Sequence, residues 1–239
     1  MPASVIDIPL LNLGLAALPS VWVIYILAKW SLEAKNATYA IARMLAQLLL
    51  VGYVLSYIFA AEGSWMVVSV LSVMVLASSW IALGVVKEQR QLLYPNALFA
   101  IAVGGGVMFV IVITGVLRID PWYTPQFAIP IAGMIFANSM NSVSLAAERL
   151  LVELDRGQTY LSAKTTAFQT SLIPVINSLF AVGLVSLPGM MTGQILSGVS
   201  PLVASRYQIM VMLMIFASSG ISTWLFLTRS KGLFAHAKH

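Results

Sequence analysis

Along its 239 residues the chain repeatedly runs for about 20 residues with almost no charge, and no other feature restricts its fold as strongly. An α-helix rises about 1.5 Å per residue, so about 20 apolar residues cover the hydrocarbon layer of a bilayer. The apolar runs fall at 8–27, 40–61, 65–86, 96–117, 126–147, 172–196 and 207–228. A soluble domain carries about a quarter charged residues. Here 9% are charged and 60% hydrophobic, which is more apolar surface than a water-facing domain can bury. A membrane barrel needs short alternating strands, and the sequence does not have that pattern. The expected fold is an all-α polytopic membrane protein with about seven transmembrane helices and one transmembrane domain over 1–239.

The N-terminus has Asp7 and no basic stretch, so the first run is expected to stay in the membrane as a span rather than act as a cleaved signal. The connections set the orientation, because cytoplasmic loops collect Lys and Arg. With the N-terminus outside and the C-terminus cytoplasmic, the inner side holds Lys29, Lys35, Arg43, Lys87, Arg90, Arg149, Arg156, Lys164, Arg229, Lys231 and Lys238. Only Arg118 and Arg206 of the 13 basic residues then lie outside. The net charge of +5 therefore reports topology and not a nucleic-acid partner. The expected location is a multi-pass protein of a bacterial inner membrane.

Absent residues bound the chemistry. With no cysteine, disulfides and thiolate metal sites are excluded. Both histidines, His236 and His239, sit in the polar tail, which argues against an intramembrane Ser/His or metal-dependent hydrolase. No Gly-rich loop ends in Gly-Lys-Ser/Thr, so ATP and Mg would have to be bound by a separate subunit and not by this chain. The chain is read as a non-enzyme. The glycines at 104–106 lie inside the fourth run, where they point to close helix packing or a bend.

Two runs depart from plain lipid-facing helices. In the fifth, Gly133, Ala137 and Asn141 form one i, i+4 ridge, and Asn138, Asn141 and Ser142 share a polar face. Amides in hydrocarbon need partners or water, so this face either bonds to another helix or lines a pathway. The sixth run contains Pro188, Gly189, Met190, Met191, Thr192, Gly193 and Gln194. Proline cannot donate to the carbonyl of Leu184, so a break is expected at membrane depth, either lining a cavity or forming a packing kink. Met210, Met212 and Met214 read as packing rather than a soft-metal stripe, because Met212 falls on a different face from the other two.

The longest connection on the basic side, 148–170, interleaves Glu148, Arg149, Glu153, Asp155, Arg156 and Lys164 with Leu150, Leu151, Leu154, Tyr160 and Leu161. Gly157 is expected to divide two short amphipathic helices there. Their apolar face, with no span to cover, would lie on the membrane surface or dock into a partner.

Three blocks carry a resemblance: Ala46-Gln-Leu-Leu-Leu-Val-Gly-Tyr-Val-Leu-Ser-Tyr-Ile-Phe, Ile129-Pro-Ile-Ala-Gly-Met-Ile-Phe-Ala-Asn-Ser-Met, and Leu187-Pro-Gly-Met-Met-Thr-Gly-Gln followed by Tyr207-Gln-Ile-Met-Val-Met. Together they resemble the FetB-type ABC transporter permeases, a family described as the membrane subunit of an iron exporter with plant relatives in aluminium tolerance. The resemblance implies a permease that dimerises and takes its power from a cytosolic ABC ATPase. It also places the ATPase-coupling segment at 148–170, with Glu148, Arg149, Glu153, Leu154, Arg156, Tyr160, Leu161 and Lys164.

The residues themselves leave the cargo open. No carboxylate or histidine lies within the central runs, so a tight site for a bare iron ion is not expected, and its metal ligands are unassigned. Passage along Asn amides, backbone carbonyls and water remains compatible. Two other functions fit the same spans: an ATPase-independent secondary transporter or channel, and a structural membrane assembly protein. Against the former, few intramembrane carboxylates are available to carry protons or sodium.

Overall fold

The structure, a computed structural model, describes residues 9–59 and 63–235. Among them the only β pairing is a single bridge between Val182 and Ser186. His236 and His239 lie outside the described residues. The chain divides into two compact units, Met1–Glu62 and Gly63–His239.

The first unit is a helical hairpin of α1 (Leu10–Lys29) and α2 (Ala34–Phe59). Its turn closes by Leu32 N–H donating to the Leu27 carbonyl at 2.8 Å, with Ser31 in the left-handed region at φ 57°. Trp22 and Tyr25 pair their rings at 5.3 Å. Leu15, Trp22, Leu49 and Tyr53 are exposed, as contact with hydrocarbon asks of a spanning helix.

The second unit is a helix bundle. It runs α3 (Ser64–Ala82), a 3-10 turn (Leu83–Val85), α4 (Arg90–Val110), α5 (Pro125–Asp155), α6 (Tyr160–Ala181), α7 (Gly189–Leu196), α8 (Pro201–Arg229) and α9 (Lys231–Ala235). A π-helical segment, Ile111–Val116, continues α4. α5 and α8 each begin on proline, whose missing N–H is harmless in the first turn. The core centres on α4, α5 and α8, with Ile101, Ile135, Val143, Leu150, Met214 and Phe226 fully buried or nearly so.

Small residues bring α4, α5 and α8 together. A Cβ on Gly104 would stand 2.5 Å from Ser222 Oγ and 2.8 Å from its backbone nitrogen, and one on Gly105 would stand 2.8 Å from the Phe136 ring. Ser222 Oγ donates to Ser139 Oγ at 3.2 Å in the same buried seam. The triple glycine is thus a packing device at Gly104 and Gly105, while Gly106 faces open space.

Among the described residues six helices, α1 to α5 and α8, are long and apolar enough to cross a membrane by length and composition. α6 is more polar and is not among these six, though its 22 residues cover about 33 Å at 1.5 Å each, a length that can span the hydrocarbon layer. Tyr160 and Lys164 at its start reach Leu227 and Thr228 at the end of α8, so α6 lies antiparallel to α8. A short connection at 156–159 likewise turns it back along α5.

Two expectations need correction. The run 172–196 is not one kinked helix. α6 starts twelve residues earlier and ends at Ala181, and Pro188 caps the separate eight-residue α7. The chain leaves helical geometry through Gly183 at φ 84°, before Pro188 is reached, so the break is a connection and not a kink. Nor is 148–170 a long connection: 148–155 completes α5 and 160–170 opens α6, with only 156–159 between them. Gly157 does divide the helices, at φ 79°. Most of the apolar face of this segment is covered by its own chain: Leu150 is fully buried, and Leu154 and Tyr160 pack on the core, while Leu161 stays exposed.

Candidate functional site

Residues of α5, α6 and α8, with the start of α7, line a half-open cavity of about 440 Å³. From α5 it receives Met134, Asn138, Asn141 and Ser142, from α6 Ser171, Pro174 and Ser178, from the connection Ser186, and from α8 Gln208, Val211 and Met212. Pro188, Gly189 and Met190 line it at the start of α7. The polar face of the fifth run and the proline-glycine block, 50 residues apart between Asn138 and Pro188, thereby line one chamber.

Several of its polar groups are spent on their own helices. Asn138 Nδ2 donates to the Met134 carbonyl at 2.8 Å, Ser171 Oγ to Phe168 at 2.8 Å and Ser178 Oγ to Pro174 at 2.9 Å. Gln208 differs: it is 6% exposed and its Oε1 has no partner. A buried acceptor left unpaired costs about 1–3 kcal/mol, which a donor brought by water or cargo would recover. Every polar side chain lining the chamber is uncharged. The chamber can hydrogen-bond a solute and replace part of a hydration shell, but it offers no ionised ligand. No group of three His, Asp or Glu able to hold a metal occurs among the described residues.

The rest of the block lies elsewhere. Met191 faces a second groove, and Thr192, Gly193 and Gln194 line neither space. Thr192 Oγ1 donates to the Pro188 carbonyl at 3.2 Å, tightening the first turn of α7, and Gln194 Oε1 is buried without a partner. A Cβ on Gly189 or Gly193 would meet nothing within 4 Å, so neither makes a close helix contact among the described residues. Sequence reasoning missed Gln208, Ser171 and Ser178. The signal for Gln208 was a lone amide in an apolar run, Tyr207-Gln-Ile-Met-Val-Met.

Residues 10–164 and 155–234 match UPF0014, described as an uncharacterised protein family. This chain belongs to the UPF0014 family. A UPF0014 membrane protein of Synechocystis is 34% identical over 196 residues, 76% of this chain and 76% of its own length. The Escherichia coli protein named probable iron export permease protein FetB is 34% identical over 213 residues, 82% of this chain and 79% of its own. The Arabidopsis thaliana protein ALUMINUM SENSITIVE 3 is 32% identical over 200 residues, covering 77% and 72%. No solved structure matches the chain.

The other end of this UPF0014 bundle gathers most of its basic residues. Arg90 lies over the Trp80 ring at 3.7 Å and its Nη2 donates to the Trp80 carbonyl at 2.6 Å, joining the start of α4 to the end of α3. Asn96 Nδ2 reaches Ser230 Oγ at 3.4 Å, and Arg229 stacks over Phe99 at 4.1 Å, joining α4 to the end of α8. Lys164 Nζ donates to Thr228 Oγ1 at 2.9 Å, the Tyr160 hydroxyl donates to the Leu227 carbonyl, and the Tyr160 ring stacks on Phe234.

The residues read as a coupling set sit here, and the structure separates them. Glu153 is 7% exposed and holds Arg149 at 2.6 Å and Arg156 at 3.2 Å, so its charge is used internally. Leu154 and Tyr160 are packed inward. Glu148, Asp155, Arg156 and Leu161 remain exposed, with Leu161 at 74%.

Proposed function

We propose that the chain is the permease subunit of an ABC transporter, a single transmembrane domain whose cargo passes through the chamber between α5, α6 and α8. The observation that carries this reading is the chamber itself, which gathers amides and hydroxyls from three helices and holds one buried amide oxygen with no partner. Intramembrane polar groups are costly and mark substrate routes when they face a cavity. The naming of the E. coli relative as an iron export permease supports metal export as the direction and cargo class. With only neutral donors in the chamber, the metal would pass hydrated or wrapped in a small ligand, because iron stripped to a bare ion asks for carboxylate or imidazole.

ATP hydrolysis in this reading belongs to a cytosolic ABC ATPase, and two permeases pair in a homodimer in a bacterial inner membrane. The ATPase meets the basic end at the 155–161 turn, where Asp155, Arg156 and Leu161 are exposed. A push there reaches α6 and, through Tyr160 and Lys164, α8, two of the three helices that flank the chamber. Co-purification from native membranes followed by reconstitution tests the whole reading. The expected result is an ABC ATPase bound to this chain and ATP-dependent metal flux that Asn138→Leu together with Gln208→Leu abolishes. Flux that persists without any ATPase would replace it with secondary transport. Docking is tested by Arg156→Glu with Leu161→Ala, which should release the ATPase from a folded permease.

A further inference from the structure

Beside the chamber lies a second space of about 350 Å³ between the end of α6, the 182–187 connection, α7 and α8. Its walls are Leu179, Leu187, Met191, Ile209 and Leu213, with Ser205 and Gln208 as its polar side chains. Ser205 Oγ donates to the Leu202 carbonyl at 2.9 Å, so Gln208 is the one that presents an unused polar atom. At the rim, Ile209 is 60% and Leu213 61% exposed. In a polytopic membrane protein such a rim on a spanning helix opens to hydrocarbon, not to water.

The polar chamber and the apolar groove share Val182, Gln208 and Met212. Three side chains are thus the partition between a polar compartment and a greasy one that opens sideways, and one of them is 94% buried with a bare acceptor (6% exposed). We propose that chamber and groove together bind an uncharged amphipathic molecule from the bilayer, its hydroxyl-bearing head in the chamber against Gln208 and its hydrocarbon tail along Met191, Ile209 and Leu213. The head must donate, because Gln208 Oε1 accepts. It must be neutral, because no ionised side chain lines either space and an unpaired charge moved out of water there would find no counter-ion. The tail is set by the groove, whose lining is hydrocarbon apart from those two residues. A small polar solute would fill the chamber and leave the groove empty, and an annular lipid would cover the rim without reaching Gln208. The chamber volume of about 440 Å³ lies in the range of small-molecule sites.

The inference goes beyond the transport reading and is tested without flux or ATPase, so its failure leaves that reading standing. The purified full chain in detergent is mixed with a monoacylglycerol carrying a diazirine in its acyl chain, irradiated, and the labelled residues are mapped by mass spectrometry. Labelling is expected on Met191, Ile209 and Leu213. It should be competed by unlabelled monoacylglycerol, and at least tenfold less well by lysophosphatidic acid of the same chain length. Gln208→Leu should weaken binding about tenfold, the loss of one hydrogen bond of about 1.4 kcal/mol. Ile209→Trp, on an exposed position that does not disturb the core, should block the groove and abolish labelling at Met191. Equal competition by the charged lipid, labelling unchanged in both variants, or labelling spread evenly over exposed helix faces would each overturn the proposal.

Discussion

The two ends of the α3–α9 bundle are built from the same helices and behave as opposites. At the basic end, α3, α4, α6 and α8 are tied by Arg90 to Trp80, Asn96 to Ser230, Lys164 to Thr228 and Tyr160 to Leu227. At the other end, the helices flanking the chamber are joined by a connection that leaves helical geometry at Gly183, a short α7 and a loop through Gly198 at φ 91°. Amide oxygens of Gln194 and Gln208 go unpaired there. A bundle clamped at one end and open at the other can change its open end by small helix tilts while the clamp holds register. The lesson is that polar residues in one fold do two jobs: at the basic end Arg90, Asn96, Tyr160 and Lys164 bond across helices and fasten them, while at the chamber the Gln208 amide oxygen is left without a partner.

Between the ends lies the seam, and breaking it should have the largest effect. Gly104→Val places new carbon against Ser222 backbone atoms that a Cβ alone would meet at 2.8 and 2.9 Å, so α4 and α8 must separate. The expected cost is on the order of 3 kcal/mol, read as a fall in thermal unfolding temperature or loss of the monodisperse peak in detergent. Gly106→Ala, two residues on, meets nothing and should be neutral or stabilising by up to about 1 kcal/mol. If the two variants unfolded alike, the seam would not be the fastening point.

At the clamped end, Glu153→Leu removes the partner of Arg149 and Arg156 and should cost about 1–3 kcal/mol, since Arg149 Nε is already buried and unpaired. Tyr160→Phe, which deletes only the hydroxyl bonded to Leu227, should cost about 1 kcal/mol. The chamber end should answer in the other sense. Gln208→Leu removes an unpaired acceptor, so stability should hold within about 0.5 kcal/mol or rise, while transport falls. Urea-free thermal melts of the three variants, side by side with flux, decide it: a Gln208→Leu protein as unstable as Glu153→Leu would make the chamber glutamine structural.

How much of this could be read from the residues depends on range. Spans written in local hydropathy were legible, because length and apolarity are enough to place α1 to α5 and α8. The polar face of Asn138, Asn141 and Ser142 was legible from spacing alone, and so was the packing role of Gly104 and Gly105. α6 was not: Lys164, Gln169, Ser171 and Asn177 dilute its hydropathy, and only its pairing with α5 and α8 reveals that it is one continuous helix. The inward packing of Leu150, Leu154 and Tyr160 was illegible for the same reason. An amphipathic face looks alike whether it covers a partner or its own α8 and α9. Gln208 joined the site only when tertiary structure brought α8 beside α5 and α6.

The gentlest test perturbs nothing and fixes which end faces which side. The bundle separates its basic residues sharply: Lys87, Arg90, Arg149, Arg156, Lys164, Arg229 and Lys231 belong to the clamped end, and Arg118 and Arg206 to the chamber end. Cytoplasmic loops collect Lys and Arg, so the clamped end is expected inside and the chamber mouth outside. That orientation suits the proposed export, since a cargo released from the chamber end would leave the cell, and it would put the 155–161 turn within reach of the proposed cytosolic ATPase. The chain has no cysteine, so single cysteines report without background. Ser230 would be a poor probe, because it is fully buried against Asn96. Gln158 in the α5–α6 turn and Ser197 after α7 are both exposed and sit at opposite ends. An impermeant maleimide added to intact cells should label Ser197→Cys and spare Gln158→Cys until the membrane is opened, with stability unchanged in both. The reverse pattern would invert the orientation and turn the chamber toward the cytoplasm. Labelling of both from one side would mean that α6 does not cross, and the clamped and open ends would no longer be opposite faces of a membrane.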